Sequence, residues 1–161
     1  MPTPETVMEA WSVPDAAAIV RVPYRTLRRW LMDGLIALTF HPCVQPQERA
    51  RLTVDDVAEA WCIADLRREG VSLQAIRRIL VRLDALQERE QKRLTDFKAV
   101  DVDADGQVVG IHADGLQERL TDGQVRIDME RLRRTLRETP GEPVPSSWMD
   151  VLTLREAYAY A

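Results

Sequence analysis

Val22-Pro23-Tyr24-Arg25-Thr26-Leu27-Arg28-Arg29-Trp30-Leu31-Met32-Asp33-Gly34-Leu35-Ile36 sorts its side chains onto two sides of one short helix. At the helical advance of about 100° per residue, Leu27, Trp30 and Leu31 share an apolar side, and Tyr24, Arg25, Arg28, Arg29 and Met32 fall together opposite it. A rigid body carrying this helix presents a row of guanidiniums with one aromatic ring. That is the chemistry that meets phosphate oxygens and base edges.

The residues upstream supply a partner helix. Ser12-Val13-Pro14-Asp15 reads as a capping box, with the Ser12 hydroxyl and the Asp15 carboxylate on the free amides of a helix start. Pro14 suits a first turn, whose amides lack intrahelical partners anyway. The first helix is expected to run to Ile19 or Val20, turn at Arg21-Val22 and restart at Pro23, the spacing of two short helices crossing steeply. Val22 to Ile36 resembles the recognition helix of the MerR family of bacterial transcription regulators, and Val22, Thr26, Leu27, Arg28, Trp30, Gly34, Leu35 and Ile36 carry the match. The chain departs from the family pattern at Arg21, where glycine is usual, and at Pro23.

The likeness continues downstream. Ala37 to Leu52 lacks helical periodicity, contains Pro42 and Pro46, and lies where the family has a two-stranded wing ending in basic residues, a place that Arg49 and Arg51 share here. Thr53-Val54-Asp55-Asp56 repeats the capping-box logic and opens a helix through Val57, Ala60, Trp61, Ile63, Ala64 and Leu66, which Gly70 ends. Val71 and Ile76 can staple a further helix around a Ser72 cap, and Val71 to Leu80 resembles the family's next helix. About residues 10–86 are covered. The resemblance implies a winged helix-turn-helix on double-stranded DNA, with Tyr24, Arg25, Arg28 and Arg29 in the major groove and Thr26, Arg49 and Arg51 on phosphates.

Charge agrees with a local site rather than a generally basic protein. The 161 residues carry a net charge of -4, yet residues 21–51 hold six arginines against Asp33 and Glu48. From Lys98 to Ala161 there are eight basic and twelve acidic residues, which accounts for the whole net charge. An exposed helix face that is merely solvated tends to interleave acids four residues away, and the arginine row lacks that pattern.

After Leu80 the organisation changes. Leu73, Ile76, Leu80, Leu83 and Leu86 continue one apolar stripe, which in the resembled family pairs with a second chain; the alternative is packing against its own domain. Phe97 to Val102 and Gln107 to Ile111 flank Asp103-Ala104-Asp105-Gly106, a hairpin signal. Asp101, Asp103, Asp105 and Gly106 fit the opening of a calcium loop, but its twelfth position is His112 rather than a bidentate acid. Val125-Arg126-Ile127 is expected as a further strand, and Asp128 opens a helix through Leu132 and Leu136. Pro140 to Pro145 reads as a linker, and Thr153-Leu154-Arg155-Glu156 as a last capping box.

The resulting expectation is a mainly α protein. It has a tail (1–9), a winged helix-turn-helix domain (10–70), a dimerisation helix (71–97), a small α+β region with a β-hairpin (98–139), and a Pro-rich linker with a short terminal helix (140–161). Cys43 and Cys62 show no disulfide spacing, and neither a membrane-length apolar run nor a secretory signal appears, which points to the cytoplasm. His41 and His112 lack the neighbours of an activated nucleophile, no phosphate-binding glycine loop is present, and neither a cofactor nor a metal is expected. Trp11, Trp30 and Trp61 read as core. The leading function is a homodimeric, sequence-specific regulator. The alternative is an antitoxin that controls its own operon and wraps a toxin protein with the region after Lys98, since residues 71–125 resemble antitoxin-like proteins bearing a MerR-like domain. A third reading is a DNA-assembly module.

Overall fold

The computed structural model describes residues 9–38, 50–103, 108–111 and 124–144. Two short helices, α1 (Val13–Val20) and α2 (Tyr24–Met32), form the expected helix-turn-helix. Ser12 caps α1 by accepting the Asp15 amide at 3.2 Å. Strand β1 (Glu9–Ser12) precedes α1, and β2 (Arg51–Thr53) precedes α3 (Val54–Arg68). The two strands pair antiparallel, with Trp11 opposite Leu52 and Ser12 opposite Arg51. At the start of α3 both halves of the capping box are made: Asp56 N–H donates to Thr53 Oγ1 at 3.3 Å, and Thr53 N–H to Asp56 Oδ2 at 3.0 Å.

Helices α1, α2 and α3 end alike. In each, the amide just past the end bonds five residues back, Val22 to Ala17, Leu35 to Trp30 and Val71 to Leu66, and the residue before it has positive φ. Gly34 and Gly70 take that conformation without a Cβ penalty, whereas at the helix-turn-helix it falls to Arg21, at φ 59° and ψ 45°. A non-glycine residue there costs about 1–2 kcal/mol. The turn therefore keeps the geometry the missing glycine would have had.

The next helix, α4 (Leu73–Glu90), starts from the Ser72 cap, whose hydroxyl accepts the Ala75 amide at 3.2 Å. After a 3-10 turn at Leu94–Asp96 come β3 (Ala99–Val102) and β4 (Val108–Ile111), paired as the sequence predicts with Val102 opposite Val108. Strand β5 (Val125–Asp128) lies on the other side of β3 and runs into α5 (Met129–Glu138), capped by Asp128. Asp101 and Arg126 face each other across β3 and β5 and form two hydrogen bonds, at 3.0 and 3.3 Å. That pairing raises the Arg126 pKa.

One reading of the sequence needs amendment. Within the stretch read as a linker, β6 (Glu142–Pro143) adds to β1, giving a sheet ordered β2-β1-β6, while Pro145 lies outside the described residues. Gly141 permits the approach, because a Cβ there would meet the Ala10 carbonyl oxygen at 2.7 Å and the Trp11 ring at 2.9 Å. Pro143, with no amide to donate, stands on the sheet's edge, where proline is tolerated. The small α+β region shares its core with the helix-turn-helix. Val100, Val102, Ile127, Met129 and Leu132 join Leu27, Trp30, Leu52, Trp61, Ile76 and Leu83 in one continuous apolar cluster.

Candidate nucleic-acid interface

Helix α2 displays the two sides its sequence predicts. Leu27 and Trp30 are buried and Leu31 half-buried, while Tyr24, Arg25, Arg28, Arg29 and Met32 are exposed. Met32 is 67% exposed and Tyr24 46%, unusual for large apolar and aromatic side chains on a folded surface. Arg25, Arg28, Arg29, Met32 and Asp33 line one shallow, open concavity. Pro23 opens the helix with extended backbone and accepts the Thr26 and Leu27 amides at 3.0 and 3.1 Å, so the first turn begins at a residue whose φ is fixed. Thr26 is half-buried at that turn.

One detail departs from the sequence reading. Arg29 does have an acid four residues on, Asp33, at 3.8 Å. Both side chains are largely exposed at 82% and 55%, so the pair is a loose surface contact of little energetic weight. Arg25 and Arg28 have no ion pair among the described residues. Of the two arginines expected in the wing, Arg51 lies half-buried on β2 opposite Ser12, and its Nη1 donates to the Ala50 carbonyl at 3.2 Å. Arg49 is outside the described residues, as are His41, Cys43, His112 and the capping box at Thr153.

The apolar stripe of α4 is taken up mostly within the chain. Ile76, Leu83 and Leu86 are buried and Leu80 packs partly against the core, as α4 lies on α3 and β4. Of the five, only Leu73 is exposed, at 39%; beside it on the outer side of α4 stands Val81, at 69%. The face of α4 left outside runs through Leu73, Arg77, Val81, Ala85 and Glu88.

Sequence reasoning missed Arg68. From the end of α3 its Nη2 donates to the carbonyl oxygens of Val20 at 2.7 Å and Arg21 at 3.0 Å, while Nη1 donates to Asp65 at 2.9 Å. The available signal was Arg21 itself, since a turn that needs positive φ without glycine calls for outside support. Asp65 is held above the usual carboxylate pKa by burial, opposed by Arg68 and Arg131. Arg131 of α5 lies over the Trp61 ring at 5.1 Å, tying α5 to α3 by a cation–π contact. Trp11, Trp30 and Trp61 are all buried core residues. Cys62 is wholly enclosed in α3, and burial pushes its thiol pKa up, which makes it unreactive. No described helix is long and apolar enough to cross a membrane.

Residues 11–83 match the family model described as "MerR HTH family regulatory protein". The comparison with curated proteins finds no match.

Proposed function

We propose that this chain, whose residues 11–83 match the MerR HTH regulatory family model, is a DNA-binding transcription regulator that recognises a specific operator as a homodimer in the cytoplasm. The observation that carries the reading is the outer side of α2: Tyr24, Arg25, Arg28 and Arg29 stand clear of the body while Leu27 and Trp30 anchor the helix behind them. In a major groove, a guanidinium holds guanine through two parallel hydrogen bonds. Thr26, Arg49 and Arg51 are assigned to phosphates, which set register without reading sequence. A single short helix reads few base pairs. Two copies related by a two-fold axis reach half-sites about 34–36 Å apart, and the outer side of α4, where Leu73 and Val81 are exposed among the described residues, is an apolar surface that could join them.

Selection of duplexes from random DNA by the full chain tests this reading. An enriched inverted repeat, bound with a steep salt dependence, is the expected result. Recovery of unrelated sequences overturns it. The toxin-binding alternative gains no support from the described residues after Lys98, of which Val100, Val102, Ile127 and Leu132 are buried in the chain's own core.

A further inference from the structure

Resting on the DNA-binding reading above, we propose that Arg68 is a positioning residue for recognition: it braces the α1–α2 turn and so sets the angle at which the arginine row of α2 meets DNA. Three residues, Arg21, Val22 and Pro23, join the two helices. Pro23 has little freedom in φ, and the Val22 amide is committed to Ala17 at 3.1 Å. The remaining soft point is Arg21, held at φ 59° without being glycine. The carbonyl oxygens flanking that point, those of Val20 and Arg21, are the two that Arg68 Nη2 engages.

One planar group makes all three contacts, two to the turn and one to Asp65. A guanidinium is suited to this because its donors are rigidly spaced, whereas an ammonium carries a single point charge. The cation also sits at the C-terminal end of α1, where the helix dipole favours positive charge. The geometric stake is large relative to a hydrogen bond. A nine-residue helix is roughly 13 Å long, so a tilt of about 10° at the turn moves its far end by roughly 2 Å, enough to break bonds made by Arg28 and Arg29. Arg68 acts through the turn and not on DNA, because its terminal nitrogens are already engaged within the protein.

The test uses the full chain as wild type, R68A, R68K, R21G and the R68A/R21G double variant, titrated against the selected duplex and a scrambled duplex at several salt concentrations. R68A is expected to lower the selected-to-scrambled affinity ratio by about tenfold with the salt slope unchanged. R68K retains part of the ratio. Adding R21G to R68A restores most of it, since glycine holds positive φ without a brace; loss of general stability is not repaired by that change. Amide hydrogen exchange at Val22, measured without DNA, is expected to accelerate in R68A and to leave R68K between R68A and wild type. Equal weakening on both duplexes with a salt slope reduced by about one marks Arg68 as a phosphate ligand and overturns the role. So does an unchanged ratio. Should R68A fail to fold, R68K decides by the same ratio. A wild-type chain with no preference for any duplex defeats the DNA reading itself, and is distinguished by the Val22 exchange, which still reports whether the brace exists.

Discussion

The indole N–H of Trp11 donates to the carbonyl oxygen of Thr139 at 2.7 Å and so joins residues 128 positions apart. The same ring is what a Cβ on Gly141 would strike. The start of the helix-turn-helix head and the end of α5 are therefore held by one side chain, next to the pairing of β1 with β6. Gly141→Ala is expected to destabilise the fold by about 1–3 kcal/mol through this clash. Trp11→Phe, which leaves the Thr139 carbonyl without that donor, is expected to cost about 1–2 kcal/mol. Urea midpoints check both, and wild-type midpoints in both variants contradict the close packing of residues 139–143 on β1.

Arg28→Ala distinguishes base reading from phosphate holding. If Arg28 contacts a base, the variant loses about 1–3 kcal/mol on the selected duplex and tolerates substitution at one position, with little change on scrambled DNA. If it holds a phosphate, both duplexes weaken and the salt slope falls by about one. Equal affinity and equal slope contradict any contact by Arg28.

Val81 and Ile76 occupy opposite sides of α4, and their variants are expected to part company. Val81→Glu lies on the outside, so the fold should keep its stability within about 0.5 kcal/mol while self-association weakens, as read by sedimentation. Ile76→Ala opens a cavity in the core and is expected to cost about 2–5 kcal/mol in urea unfolding. A Val81→Glu chain that dimerises as wild type moves the dimer contact off α4.

Glu59 titrates against its surroundings. Burial, with Asp84 and then Asp56 and Asp55 nearby, raises its pKa from 4.5 to about 8. The folded protein then keeps a proton that the unfolded chain releases, so this group's contribution is fully present below pH 4.5 and is lost as pH rises towards 8. Glu59→Gln is expected to flatten that slope and to be the more stable protein at pH 8, by roughly 1–3 kcal/mol. Unfolding in urea at pH 5, 6.5 and 8 measures it; parallel curves for the two proteins contradict a protonated Glu59.

Local chemistry was the legible part. Ser12, Thr53, Ser72 and Asp128 each cap the helix their neighbours suggest, and the Asp103-to-Gly106 signal joins the two strands it separates, because caps and hairpins are written within a few consecutive residues. The two-sided character of α2 was legible for the same reason. Partners distant in sequence were not. Glu9–Ser12 is too short for alternation to register as a strand, and Pro140-Gly141-Glu142-Pro143 carries turn chemistry although its place is fixed by a neighbour at the other end of the chain. The α4 stripe had the right period for either burial choice, since an apolar face records that it is covered but not by what. Arg68 gave no signal of its own, as its three acceptors lie on two different helices and the turn between α1 and α2.

The order of synthesis gives the β1–β6 pairing a temporal meaning. A nascent chain exposes Ala10 early, and the residue that completes its hydrogen-bonded neighbourhood, Glu142, leaves the ribosome only after α5 has been made. Until then β1 offers one unpaired edge. A product that ends before Glu142 lacks the strand that pairs with Glu9 and Ala10 in the finished protein.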